Sequence, residues 1–274
     1  MSLTTSLLKS NYTKRFYINT GNFFKPQFKT KLADSKNEIK AAQKLRYEVF
    51  FEDRKKKKII SISSFKRDTD IYDKYCDHII VTYKKNKFSK TKVIGTYRLL
   101  KQENSKNVGF CTSEEYNLKN LLNSNRYNNL LEVSRSCIHK NHRNKNVLQS
   151  MWREIHNYVI TNKIEGLFGT ASFLHTNFKK IENELIYLQQ NFLMEKHIEV
   201  TANPSMLIDL DYKRSIKPSF KLIKNLPTLI KGYLKLNAKV GNGAIIDPKF
   251  KTIDIFVFVE FDKIEPKYLE KFSY

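Results

Sequence analysis

The hydrophobic and polar positions between Leu130 and Val159 change period once. Over residues 130–138 they alternate. Leu131, Val133 and Cys137, with Arg135 among them, fall on one side; Glu132, Ser134 and Ser136 fall on the other. That period of two predicts a strand. From Val147 the apolar residues Val147, Leu148, Met151, Trp152, Ile155 and Val159 recur at helical spacing and predict an amphipathic helix. The polar, basic link His139 to Lys145 joins the two. A carboxylate on a strand, followed by a basic loop at a helix start, can hold an amine near an anionic group.

The same reading extends along the chain. Ser35-Lys36-Asn37-Glu38 is a capping-box pattern that predicts a helix start. Ile39, Ala42, Leu45, Val49 and Phe50 form its apolar stripe, and Arg46 lies in line with Ala42 and Phe50. Residues 78–83 (HIIVTY) and 92–100 (KVIGTYRLL) predict adjacent antiparallel strands, with Arg98 alternating with Ile94 and Thr96. A short helix is expected within 110–122, a strand at 166–173, a helix over 182–193 and a short strand at 206–210. Pro227 opens a helix through Leu236, residues 240–244 read as a turn, and 252–261 is an apolar strand. The order is mixed α/β with hairpins rather than strict βαβ alternation. The expected organisation is a flexible basic arm over 1–31 and one domain over 32–274, with a C-terminal elaboration from about 203.

Hydrophobic content of 41% and aromatic content of 13% exclude general disorder. No apolar run approaches the roughly 20 residues needed to cross a bilayer, and the N-terminus lacks the apolar core of a signal peptide. The expectation is a cytoplasmic protein, with peripheral contact to the inner face of an anionic membrane kept open. Cys76, Cys111 and Cys137 are widely spaced and fit neither a disulfide framework nor a metal site. The net charge of +23 is partly the Lys- and Asn-rich composition of an AT-rich genome. No helix-turn-helix, zinc-finger or stacking motif accompanies it, so no specific nucleic-acid partner is expected. An anionic membrane surface or an acidic protein partner remains. The run Lys55 to Lys58 reads as a solvated loop, or as a mobile basic segment able to dock an acidic carrier or lipid head groups.

Arg46, on an apolar stripe, either meets a carboxylate or snorkels past its neighbours, and Arg98 on its strand face asks for a carboxylate partner. The stretch DTDIYDKYCDH supplies Asp68, Asp70, Asp73 and Asp77. It lacks the glycine and glutamate of a calcium loop, so ion pairing is expected rather than metal.

Five motifs now stand in register: Leu45-Arg-Tyr-Glu-Val-Phe50, DKYCDH at 73–78, Gly95-Thr-Tyr-Arg-Leu-Leu100, Leu131-Glu-Val-Ser-Arg-Ser-Cys137 and Lys231-Gly-Tyr-Leu-Lys-Leu236. With the closing GNGAIIDPKFKTIDIFVF, the chain resembles the ornithine lipid N-acyltransferase family over roughly residues 32–272. That family is similar to the acyl-homoserine lactone synthases and to the Gcn5-related N-acetyltransferases. The resemblance implies an α/β fold of that kind: an autoinducer-synthase-like mixed central sheet flanked by helices, with an extra C-terminal helix and strand. It implies transfer of a 3-hydroxyacyl group from the phosphopantetheine of acyl carrier protein to the α-amine of L-ornithine, giving lyso-ornithine lipid, with no bound cofactor. In the lactone synthases an Arg and a Phe four apart match Arg46 and Phe50. An acidic trio matches Asp68, Asp70 and Asp73, a strand Arg matches Arg98, and a Glu-x-Ser-Arg matches Glu132, Ser134 and Arg135. The glycines of the acetyltransferase pyrophosphate loop are missing from Arg143-Asn-Lys-Asn-Val-Leu148. That departure favours a carrier-borne pantetheine, which has one phosphate, over free coenzyme A.

On this reading Glu132 takes the proton of the attacking amine and Ser134 orders a water between them; the alternative is a strand glutamate paired to an arginine. Arg46, Arg98, Arg135 and the three aspartates form one electrostatic cluster, and one of those acids, or Asp77, holds the δ-ammonium of ornithine. Lys140, Arg143 and Lys145 meet the phosphate and the acidic carrier at the helix start. A backbone amide around Cys137 to His139 is the expected oxyanion donor. No cysteine is needed as a nucleophile. The rivals are a lactone synthase using S-adenosylmethionine, another amino-acid N-acyltransferase, and a non-catalytic protein binding nucleic acid or a membrane surface.

Overall fold

Ser35 caps the first helix as its motif predicts: its hydroxyl accepts from the Glu38 N–H at 3.3 Å. The Glu38 carboxylate reaches back one residue further than the motif requires, to the N–H of Asp34 at 3.1 Å. The computed structural model describes residues 26–53 and 66–272. The first 25 residues of the basic arm and the run Lys55 to Lys58 lie outside the described residues.

In chain order the elements are β1 (Gln27–Leu32), α1 (Lys36–Tyr47), β2 (Asp77–Lys84), β3 (Lys92–Lys101), α2 (Gln102–Ser105), β4 (Tyr116–Asn117) and α3 (Lys119–Leu122). There follow β5 (Leu130–Ile138), α4 (Lys145–Thr161), β6 (Gly166–Phe173), α5 (Glu182–Phe192), β7 (Thr201–Ala202) and α6 (Phe220–Asn225). The last are α7 (Thr228–Lys235), β8 (Lys239–Asp247), β9 (Thr252–Glu260) and α8 (Pro266–Leu269). The strands form one sheet in the order β1-β2-β3-β5-β6-β9-β8-β7-β4. On one face α4 packs Val147, Met151 and Val159 against Ile79, Val81 and Leu99. On the other, the C-terminal half of α1 and the π turn that continues it pack Leu45, Val49 and Phe50 against Cys137.

Two irregularities of β5 create the site. First, β5 runs parallel to β6 but pairs with it only over Leu130 to Glu132 and Gly166 to Phe168. Beyond that point β5 stays with β3 as far as Ile138, and β6 stays with β9 as far as Phe173. Each strand keeps its outer partner, so the pair splays and its inner edges leave the ladder. Gly169 sits at the fork, where a Cβ would come within 2.3 Å of the Val133 carbonyl oxygen.

Second, β5 carries a bulge. Ser134 pairs with Arg98 and Cys137 with Thr96, so two residues oppose Tyr97. Arg135 takes φ +53° there. An extra residue inverts the alternation beyond it. Cys137 therefore packs under α1, while Val133 and Ile138 stay on the α4 side. This corrects the expectation that Cys137 shares a side with Leu131 and Val133.

Other expectations change as well. Residues 27–31, assigned to the arm, form strand β1 against β2. Residues 206–210 make only one bridge, Leu207 to Ile245, instead of a strand. Residues 240–244 lie inside β8 as an irregularity with Gly243 at φ +91°, not as a turn. Glycines mark a bulge as readily as a turn, and the pattern does not separate them. Within the C-terminal part, β9 pairs with β6 along the whole length of β6.

Candidate active site

Beneath α1, three arginines meet three aspartates. Arg46 places Nε 2.9 Å from Asp68 Oδ2, and its Nη1 and Nη2 each donate to Asp73 at 2.9 Å. Arg98 donates to both oxygens of Asp70, at 2.5 and 2.7 Å, and through Nε to Ser134 Oγ at 3.0 Å. The bulge turns Arg135 into the same group, 3.3 Å from Asp68 and 3.1 Å from Asp70. The predicted cluster of Arg46, Asp68, Asp70, Asp73, Arg98 and Arg135 is thus one charge-balanced network. Burial would push the Asp70 carboxyl up; the charge and hydrogen bonds of Arg98, then Arg135 and Arg46, outweigh it and hold it at about 2. Burial also opposes ionisation of Asp73, and Arg46 lowers it nonetheless.

Asp77 does not belong to this group. It accepts from the Tyr158 hydroxyl of α4 at 2.6 Å. Strand alternation explains the correction: His78, its neighbour, faces the cluster, with Nε2 3.3 Å from the Asp73 carbonyl, so Asp77 faces the other side. The carboxylates of Asp68, Asp70 and Asp73 are themselves committed to guanidiniums.

A cleft of about 640 Å³ opens where β5 and β6 splay. Glu132, Ser134 and Arg135 line one wall, and Thr170 and Ser172 another. Glu132 is only 1% exposed. Its Oε1 accepts from the N–H and hydroxyl of Thr112, at 2.6 and 2.5 Å, and its Oε2 from the Cys111 N–H at 3.1 Å. Burial raises its pKa against those hydrogen bonds and the charge of Arg98. Thus the predicted acid faces the cleft and also anchors the loop before β4. Cys111 lines the cleft, but burial pushes its thiol up to about 12, so it is no thiolate at neutral pH.

The cleft holds a second acidic group. Glu115, Asp247 and Asp254 bring one carboxylate oxygen each within 4.8 Å of one another. All three line the cleft. Burial, with the charges of Asp254 and Asp247 added, pushes Glu115 up to about 8. The trio therefore carries a proton near neutrality and has room for a cation.

The basic link lies at the α4 start, as predicted. Asn144 caps the helix, accepting from the Val147 N–H at 3.0 Å. Lys140 and Arg143 share Asp53, at 2.9 and 3.5 Å, while Lys145 is exposed on the first turn. Arg143 also lines the cleft. Of the amides expected around Cys137 to His139 as oxyanion donors, that of His139 is taken, donating to the Ile94 carbonyl at 2.8 Å.

Residues 45–153 match the model of the acetyltransferase (GNAT) domain. The chain is 33% identical over 248 residues to an L-ornithine N(alpha)-acyltransferase of Rhizobium meliloti (strain 1021), covering 89% of this chain and 83% of that one. It is 33% identical to the enzyme of the same name from Brucella abortus (strain 2308), over 89% and 88%. The chain belongs to the L-ornithine N(alpha)-acyltransferase family. Among solved structures, an N-acyl amino acid synthase from uncultured soil microbes aligns with 86% of this chain and 93% of its own, at a TM-score of 0.49 and 10% identity. The mixed sheet flanked by helices is the fold of the acetyltransferase (GNAT) domain matched over residues 45–153.

Sequence reasoning missed the family member's Glu115–Asp247–Asp254 trio and Asp53. One signal was present: Asp254, third residue of TIDIFVFVEF, is a charge flanked by isoleucines in a strongly apolar strand. Nothing in the local pattern joins it to Glu115, 139 positions away in sequence (254 − 115).

Proposed function

We propose that this protein moves a 3-hydroxyacyl group from the phosphopantetheine of an acyl carrier protein to the α-amine of L-ornithine, giving lyso-ornithine lipid. One observation carries the reading. A single cleft combines freed strand edges, the buried Glu132 with Ser134 beside it in the wall, and a three-carboxylate group. The relatives are named for ornithine, whose side chain ends in an ammonium. The Glu115–Asp247–Asp254 group suits that ammonium, in place of Asp77 and the saturated aspartates. The α-amine attacks the thioester carbonyl; the N–C bond forms, the C–S bond breaks, and the leaving thiolate takes a proton. Glu132 accepts the proton of the ammonium form, directly or through a water held by Ser134. Backbone N–H groups of β5 beyond the fork are suited to the developing oxyanion. An apolar cavity of about 60 Å³, walled by Trp152, Leu167, Tyr233 and Val257, shares Thr170 with the cleft and suits the start of the acyl chain.

Purified enzyme supplied with 3-hydroxyacyl carrier and either L-ornithine or S-adenosylmethionine tests the assignment. N-acyl-ornithine is expected by mass spectrometry; a lactone product, or no turnover with any acyl carrier, overturns it. The placement of the side chain has its own test. Entry of an ammonium pulls Glu115 below about 8, so binding releases a proton and tightens as pH rises from 6 to 8. Calorimetry in buffers of different ionisation enthalpy reads that release, and Asp254→Asn should weaken ornithine at least tenfold. Carrier docking is separable: Arg143→Glu with Lys145→Glu should raise the carrier's KM about tenfold and flatten its salt dependence, with ornithine's KM unchanged.

A further inference from the structure

From residue 212 to residue 246 the chain carries Lys213, Arg214, Lys217, Lys221, Lys224, Lys231, Lys235 and Lys239, and no acid. Within it, α6 is anchored by Leu222 and by Leu226 just past its end, both buried in the core. Phe220 and Ile223, three residues apart and so neighbours on the helix surface, are 83% and 43% exposed. Scattered exposed apolar residues need no explanation. Here, however, a phenylalanine and an isoleucine share one outward helix face, with Lys217, Lys221 and Lys224 exposed around them.

The surface is held in shape. Gln190 of α5 donates to the carbonyls of Tyr212 and Arg214, at 3.3 and 2.8 Å, and accepts from the Ile216 N–H at 3.1 Å. Arg214 is engaged by Asn183 and Glu182, and Lys231 donates to the Lys224 carbonyl at 3.0 Å. Among the described residues, Lys213, Lys217, Lys221 and Lys224 have no carboxylate partner. Two residues past α6, Pro227, Thr228 and Leu229 line the cleft, and Leu174, 66% exposed, lines it too.

We propose that α6 and the segment leading into it seat this protein on an anionic lipid bilayer. A short helix with an apolar tip and cationic flanks places the tip at the acyl boundary and the lysines among anionic head groups. A bilayer accepts a protruding side chain without a matching pocket, whereas an acidic protein would need one; the outward tip therefore favours lipid. The seat would set the cleft mouth at the membrane. That last consequence rests on the acyl-transfer reading, while the surface itself does not.

The full chain is sedimented with vesicles of phosphatidylglycerol and phosphatidylcholine in equal parts, and with phosphatidylcholine alone, at low and high salt. Binding to the anionic vesicles is expected, weakening with salt. Phe220→Ser with Ile223→Ser should lower binding about tenfold at either salt. Lys221→Gln with Lys224→Gln should lower it about fivefold per lysine at low salt and blunt the salt dependence. Both variants should melt as the parent does and turn over normally without vesicles. Equal binding to both vesicle types, or variants that bind as the parent does, overturns the proposal. So does a lysine variant that keeps vesicle binding but raises the carrier's KM, which would make this an acidic-protein surface. Failure of the acyl-transfer reading would register only in the vesicle-free turnover.

Discussion

Glu132→Gln should lower kcat by about 10² to 10³-fold while leaving the carrier's KM within about twofold. The carboxylate is held by the Thr112 hydroxyl and the amides of residues 111 and 112, so its orientation does not depend on substrate. Glutamine keeps one acceptor oxygen but turns an amide donor toward donors, and it cannot take a proton. A purely structural glutamate gives a different pattern. The loop at 111–112 would then loosen, and stability and both KM values would change with kcat. The pH profile separates the two. A base must be ionised, so activity falls as pH drops through its pKa, which burial raises above the usual glutamate range. Glu132→Gln should remove that limb. A variant with the parental limb and the parental kcat would assign Glu132 to the loop alone.

Arg46→Ala should destabilise the fold by about 3–5 kcal/mol, because it strands Asp68 and Asp73 without their main counter-charge in a buried site. For a chain of this size that amounts to a fall in melting temperature of about 5–9 °C. Replacing the whole network with apolar residues would cost far less than removing one member. The network also sets an acid limit. Asp70 ionises at about 2 in the folded chain, against about 3.9 unfolded. Its folded pKa is the lower one, so its contribution is full above pH 4 and is lost as pH falls toward 2. Denaturant unfolding at pH 5 and pH 2 should show that loss, and Arg98→Met should shrink the difference. Equal pH dependence in the two proteins would remove Asp70 from the account.

Local patterns determined much of this protein. Ser35, the spacing of Leu45, Val49 and Phe50, and the stripe from Val147 to Val159 encode α1 and α4, because a helix face is written within one turn of sequence. The same logic pointed to carboxylate partners for Arg46 and Arg98, since an unpaired cation on an apolar stripe is costly, but for Arg46 it left a snorkelling side chain equally open. The fork, the bulge and the second acidic group were decided elsewhere. The bulge at Arg135 depends on what β3 offers across the ladder, and it moved both Cys137 and Arg135 against their local alternation. β5 splays from β6 while each keeps its outer partner, and β9, which holds β6, comes last in the sheet's sequence. Glu115, Asp247 and Asp254 become one site only when that last strand closes the sheet. Pairing between distant strands leaves no periodic trace in either one, so only the folded chain could bring these carboxylates to the cleft.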